Sequence, residues 1–410
     1  MLPLEERWYR RLLLLALILG AVGGLSALIY DTVTGRGVSL LFGSPTSDPW
    51  TGRWWWIPLV STGAVLVVYM RQRTGTSGPV PGAIAYARKG WVEPSTALQL
   101  AVISAISLVA GASLGPSFGV IVSAGGFASW VASRRAEADE SERSETALAG
   151  MAGGLGAIFS APLFASIMAS ELSPTPKRDY VAAFIPQFLA AIVGFVIFFG
   201  LTGAVMLGSF ELPGYSFEYW HLLAGVGLGL AATLVVVIQA AITVATRRVA
   251  GLLPNSYVKA AVLGAGIGLI AFALPLTATG GSAQLTFATD HVLSLGLGLL
   301  VAVLLAKILA MALSQEAGFL GGAVFPMLFI GGTAGMIVHQ VFPGIPVALA
   351  VAALLAAVPG ATIGAPVSFM LIGVGTVATG LEGLPAVGVA VIVAHIGASA
   401  LQIHRHQRQA

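Results

Sequence analysis

The chain runs as long apolar stretches separated by short polar ones. No Asp, Glu, Lys or Arg interrupts Leu12–Tyr30, Pro94–Ser133, Thr146–Ser170, Tyr180–Phe210, Tyr219–Thr246, Ala260–Thr289, Ala317–Leu381 or Gly383–His404. About 20 apolar residues cross a bilayer as a helix, so these stretches predict about ten to fourteen membrane segments. In lipid only helices and closed barrels satisfy every backbone group. The runs are far longer than the alternating strands of about ten residues that build barrels. The predicted fold class is therefore an all-α integral membrane protein, with many helices shortened or broken by Gly and Pro.

Composition sharpens this picture by exclusion. The 410 residues are 57% hydrophobic and 9% charged, with a mean hydropathy of +0.92. A soluble domain carries roughly 25% charged residues, so a water-soluble enzyme is excluded. There is no cysteine, hence no disulfide or thiolate metal site. A net charge of +3 with scattered Lys and Arg gives nucleic acid nothing to bind. No spacing suggests a metal site, and no Ser-His-Asp or paired-carboxylate pattern suggests catalysis; neither a cofactor nor enzymatic activity is expected.

Charge placement suggests an orientation. Arg7, Arg10 and Arg11 precede a span-length apolar run without a clear cleavage site, which reads as a retained first helix. The pairs Arg71/Arg73, Arg88/Lys89, Lys177/Arg178, Arg247/Arg248 and Arg405/Arg408 put their loops, and both termini, in the cytoplasm of a multi-pass cell-membrane protein. Arg134–Glu145 reads as a soluble loop of mixed charge. Asp31–Arg53 and Glu211–Glu218 read as outer loops, and Trp54-Trp55-Trp56 as an interfacial belt.

A repeated break is the most informative pattern. Gly111–Val120 reads GASLGPSFGV and Gly321–Ile330 reads GGAVFPMLFI. Their prolines, Pro116 and Pro326, lie 210 residues apart (326 − 116). A second pair follows in each half, GLGAIFSAPLF at Gly154–Phe164 and GATIGAPVSF at Gly360–Phe369, with Pro162 and Pro366 lying 204 apart (366 − 162). Two signals in the same order predict a single transmembrane domain spanning 1–410, built of two repeats at about 12–210 and about 219–404. No cytoplasmic regulatory domain is expected. Matching interruptions in two halves point to a transport site. A helix start leaves N–H groups unpaired and carries about half a positive charge. Two such starts would hold an anion loosely enough to release it.

These motifs resemble the chloride channel and transporter family, CLC. Gly115-Pro116-Ser117-Phe118-Gly119 stands where the family has Gly-(Arg/Lys)-Glu-Gly-Pro, and Gly322-Ala323-Val324-Phe325-Pro326 resembles Gly-x-Phe-x-Pro. Ser160-Ala161-Pro162-Leu163, followed by Glu171, resembles Asn-Ala-Pro-Leu ending in two acidic residues. Gly364-Ala365-Pro366 resembles its counterpart in the second half, and Ser77-Gly78-Pro79-Val80-Pro81 a degenerate Gly-Ser-Gly-Ile-Pro. The order agrees from about residue 12 to 402. The resemblance implies a CLC-type fold with two inverted-topology repeats and a homodimer with one pore per subunit. It implies a site for chloride or a similar small anion made by N–H groups around Ser117–Gly119 and near Ala323 and Val324.

Departures from the family pattern decide the functional expectation. The gating glutamate falls at Ser117, which cannot carry a proton at neutral pH but can donate a hydrogen bond to an anion. The inner proton-relay glutamate falls at Leu172, or at Glu171 if one gap is allowed. The selectivity serine falls at Gly78, or at Ser77 with a gap. The family's inner tyrosine would lie beyond Ala410. Passive channel or uniporter conduction is therefore expected ahead of proton-coupled antiport.

Few other polar residues lie in membrane context. Ionisable residues there are functional candidates. Lys307 either adds positive potential to an anion path or snorkels to an interface. Glu316 is either a solvated loop residue or a substitute proton carrier. Glu171 is expected to cap a helix or pair near Lys177 and Arg178. His221, His291, His339 and His395 read as packing or interfacial residues.

Overall fold

The computed structural model describes residues 4–43, 50–78, 80, 82–135, 139–173, 180–210, 212–292 and 294–407. Regular structure among them is helical, apart from one isolated two-residue bridge. The first half contains α1 (Arg7–Phe42), α2 (Trp56–Arg73), α3 (Ala83–Lys89), α4 (Pro94–Val109), α5 (Ser117–Ser133), α6 (Glu140–Ile158), α7 (Pro162–Leu172) and α8 (Tyr180–Thr202). The second contains α9 (His221–Gly251), α10 (Ser256–Ala273), α11 (Ser282–Asp290), α12 (Leu297–Glu316), α13 (Val324–Val341), α14 (Val347–Ile363), α15 (Pro366–Thr376) and α16 (Leu384–Gln407). Short 3₁₀ turns precede α11 and α16. Among the described residues, seven helices are long and apolar enough to cross a membrane, and five shorter apolar ones accompany them. This is a multi-pass membrane protein.

The second eight helices repeat the first in order and size. Each half opens on a very long helix, α1 with 36 residues and α9 with 31. Each continues through an 18-residue helix and a very short one. Each then has an 11-residue helix with Pro at its start, α7 and α15. Equivalent elements also touch each other, α2 against α10 and α7 against α15. Elements that lie against a two-fold axis relating the halves pair with their own equivalents, and inverted repeats supply such an axis in the membrane plane.

The core sits where the helices are apolar on every side. Every residue of α14 from Val347 to Ala361 is buried, as is every residue of the apolar part of α6 from Ala147 to Ile158. A helix apolar all round belongs inside. Lipid gives no hydrophobic drive between helices, so glycine contact supplies close packing. A Cβ on Gly23 of α1 would lie 2.5 Å from Gly154 N, and one on Gly194 of α8 would lie 2.1 Å from Gly153 O. Many glycines in the α1–α6–α8 cluster thus serve packing alone.

Two expected loops are partly helical. Asp31 to Phe42 continues α1, leaving only residues from Gly43 onward for the expected loop. No proline or charged run stops that helix, and Thr34 donates back to Tyr30 O at 2.9 Å. Glu140–Glu145 forms the start of α6 because the Asp139 carboxylate accepts from Glu142 N at 2.8 Å. Acidic residues at Glu140 and Glu142 add favourable charge at that end. Pro79, Pro81, Lys177, Arg178, Glu211 and Arg408 lie outside the described residues, so parts of the Pro-rich motif and of the basic pairs do too.

Candidate functional site: two helix starts above a basic cavity

The two breaks come together. Between α4 and α5 the chain crosses residues 110–116, and between α12 and α13 it crosses 317–323. The crossings pair through reciprocal bonds, Gly115 N to Gly322 O at 2.7 Å and Gly322 N to Gly115 O at 2.8 Å. Below each break a serine repeats the same device. Ser107 donates to Ile103 O and accepts from Leu320 N, at 2.8 and 3.1 Å. Ser314 donates to Ala310 O and accepts from Ser113 N, at 2.7 and 2.9 Å. Each half thus satisfies the other's broken backbone, which lipid would otherwise penalise. Gly111 (φ +96°) and Gly318 (φ +93°) make the turns out of α4 and α12, a conformation that suits glycine.

These pairs fix the repeat's register at 207 residues (314 − 107; 322 − 115; 318 − 111). Pro116 is therefore not the counterpart of Pro326, as their 210-residue spacing suggests. Pro116 precedes the first helical residue of α5, while Pro326 is the third residue of α13. Proline is tolerated across a first helical turn because those N–H groups are free anyway, so it can drift where the glycines cannot. The Ala-Pro pair keeps its equivalence, with Pro162 and Pro366 each opening its helix.

The helix starts are left open. The first intrahelical bonds run from Val120 N to Pro116 O and from Met327 N to Ala323 O. The N–H groups of Ser117, Phe118, Gly119, Val324 and Phe325 precede these bonds and have no intrahelical acceptor. Neither Pro116 nor Ala323 caps its helix by a side chain. Both ends are nonetheless buried, with Ser117 at 0% exposure. The Ser117 Oγ has no hydrogen-bond partner.

A cavity of about 830 Å³ opens beneath these starts. Phe118 and Ala323 reach it from α5 and α13, and Ser77 and Gly78 from the loop after α2. Its walls carry Arg71, Arg247 and Lys259 against one carboxylate, Glu316. Three cations facing one anion raise the potential for negative solutes. Phe118 and Phe325, equivalent in the 207-residue register, anchor the starts. Phe325 stacks on Phe159 at 4.9 Å between centroids, and Phe118 meets Tyr86 edge-on at 6.1 Å. Tyr30 of α1 packs on Gly119 and bonds to Ser104 Oγ at 2.7 Å.

The structure thus gathers Gly115, Pro116, Ser117, Phe118 and Gly119 with Gly322, Ala323, Val324 and Phe325, and adds both Ser77 and Gly78. Glu171 and Leu172 lie elsewhere. The Glu171 carboxylate accepts from Val367 N at 2.9 Å, Ser368 N at 3.0 Å and the Ser368 hydroxyl, capping α15 from the end of α7. Leu172 is buried core. Lys307 does not snorkel. It is fully buried, and its Nζ donates to Thr277 O at 3.0 Å and Thr279 O at 2.6 Å. Glu316 is not a loop residue but the last of α12, paired with Arg247 at 3.2 Å. Sequence reasoning missed Arg71, Lys259, Tyr30 and the Ser107/Ser314 pair. The two serines were findable, since they share the glycines' spacing.

Comparison with known proteins agrees with this arrangement. The family description "voltage gated chloride channel" matches residues 59–399. The chain belongs to that family. Among curated relatives, "Uncharacterized protein MJ0305" of Methanocaldococcus jannaschii is 30% identical over 46% of this chain and 47% of the relative. The chain thus spans about half the length of that relative. "Putative ion-transport protein YfeO" of Escherichia coli is 28% identical over 72% of this chain and 69% of the relative. Two solved structures share the CLC fold over nearly all of it. A slow cyanobacterial Cl⁻/H⁺ antiporter has a TM-score of 0.78 at 19% identity, covering 97% of this chain and 99% of its own. A CLC-type fluoride/proton antiporter has 0.73 at 21%, covering 94% and 95%.

Proposed function

We propose that this CLC protein conducts a small anion, chloride first, passively through the paired helix starts, one pore per subunit of a homodimer. Ser117 carries the proposal. It occupies the position of the family's gating carboxylate, and its buried hydroxyl is unpartnered at an uncapped helix start. A hydroxyl there can donate to an anion but cannot compete with one or carry a proton. The pore residues of this reading are Ser77 or Gly78, Gly115–Gly119 and Gly322–Phe325. The basic cavity is its cytoplasmic mouth, consistent with cytoplasmic termini by the distribution of Arg and Lys.

Antiport is the second reading, favoured by the similar solved structures, which are antiporters. Glu171 is its natural proton carrier. Three donors hold that carboxylate as an acceptor, and a proton on it would displace at least one of them. This supports a capping role. Glu171→Gln is therefore expected to leave anion flux near wild type while weakening α15, by about 0.5–2 kcal/mol as for other lost helix caps. Flux and thermal unfolding of the purified variant check both parts.

The deciding experiment is chloride efflux from reconstituted liposomes with simultaneous proton recording. Chloride flux without proton movement is expected. Proton uptake driven uphill by a chloride gradient would establish antiport instead.

A further inference from the structure

Arg71 sits in the last turn of α2 and lines the basic cavity. Its three nitrogens reach three carbonyls. Nε donates to Thr76 O at 3.2 Å, Nη2 to Gly78 O at 2.7 Å and Nη1 to Gly318 O at 3.0 Å. Two of these belong to the loop carrying Ser77 and Gly78. The third belongs to the break that leads into Ala323 and α13. One planar guanidinium thus ties together the two chain segments that face each other across the cavity, one from each half. No ion pair of Arg71 occurs among the described residues, so its guanidinium is held by carbonyls rather than by a carboxylate.

The chemistry suits an anion path. Carbonyl oxygens carry negative partial charge, and three of them turned toward the cavity would repel an anion. Arg71 occupies all three. Across a planar trans peptide the C=O and the following N–H point in opposite directions, so drawing Thr76 O to Arg71 turns the Ser77 N–H the other way. Gly318 fits the clamp closely. A Cβ there would stand 3.3 Å from Arg71 Nη1 and 3.2 Å from a Val68 methyl, at a φ of +93°.

We propose that Arg71 is a specificity-determining positioning residue. Its fork sets the separation between the Ser77–Gly78 loop and the Gly318–Ala323 break, and so selects among anions by size and shape. The inference rests on the transport reading above. Lysine keeps the charge but is a compact point donor without the rigid fork, so Arg71→Lys separates attraction from positioning. Arg88 is the control. It also clasps the second half, donating to Ile363 O at 2.7 Å beside Gly364, but it does not line the cavity.

The test is initial chloride and nitrate flux in liposomes of wild type, Arg71→Lys, Arg88→Lys and Gly318→Ala. Each variant is first checked for monodispersity in detergent. The chloride-to-nitrate ratio is expected to change in Arg71→Lys and Gly318→Ala by about threefold or more, a threshold set below the roughly 10–200-fold that a pocket contact discriminates. Arg88→Lys is expected to keep the wild-type ratio. If Arg71→Lys does not fold, Gly318→Ala carries the comparison, since it disturbs the same carbonyl without touching the charge. An unchanged ratio in the variants that fold, or an equal change in Arg88→Lys, overturns the inference while wild-type flux leaves transport standing. No anion flux in wild type overturns both.

Discussion

Ser117→Glu is expected to stop anion flux at neutral pH and restore it in acid. A glutamate at the first position of α5 would place a carboxylate beside the free N–H groups of Ser117, Phe118 and Gly119 and the positive end of the helix. That carboxylate is an anion occupying an anion's place. Its ordinary pKa is about 4.3, and helix-start donors stabilise the charged form, so at pH 7 the block would be nearly complete. Lowering pH neutralises the competitor, and flux should rise as it does. A suppression of tenfold or more at pH 7 corresponds to at least ~1.4 kcal/mol of competition. Efflux measured between about pH 4 and pH 8 checks this. Flux at the wild-type level at both ends would place residue 117 outside the pathway.

Gly322→Ala is expected to have a comparably large effect by a different cause. The two helix starts are held at one distance by the Gly115–Gly322 bridge. A Cβ on Gly322 would lie 1.8 Å from Ser117 Oγ and 3.0 Å from Phe118 N. Ser117 Oγ can turn away about χ1, but Phe118 N is backbone and Ser117 Cβ would stand at 3.1 Å, so the breaks must shift apart by a few tenths of an ångström. Overpacking of this kind costs about 1–3 kcal/mol, enough to distort the site while the surrounding helices stay packed. Flux should fall at least tenfold in protein that still purifies as one species. Ser117→Ala added to Gly322→Ala removes the offending oxygen and should recover part of it, a coupling that a double-mutant cycle measures. Full wild-type flux in Gly322→Ala would show that the bridge does not set the site.

Much of the fold was legible because lipid enforces simple rules. Uncharged runs long enough to span had to be helices, and glycine and proline at matched places had to mark breaks. Register was harder. The prolines suggested 210 residues, but the glycines and serines hold 207, because proline can occupy any position of a first helical turn and a left-handed turn cannot move. The long opening helix runs past Asp31, since isolated charges such as Asp31 and Arg36 do not end it. Glu171 was visible as a lone carboxylate, but its partners lie 196 and 197 residues away, beyond any local pattern.

By itself the sequence determined that this protein spans a membrane as helices and that its halves repeat, and its CLC-like motifs implied Ser117 at the gating carboxylate's place. Each of these is a local or periodic property of side chains. Only the tertiary structure decided which breaks meet, that Gly115 and Gly322 bond to each other, and that Arg71 joins two loops across the cavity. Those contacts all end on backbone C=O groups, which every residue carries, whether the donor is a backbone N–H or the Arg71 guanidinium. The sequence therefore shows where a helix can break, and the fold alone shows what satisfies the break.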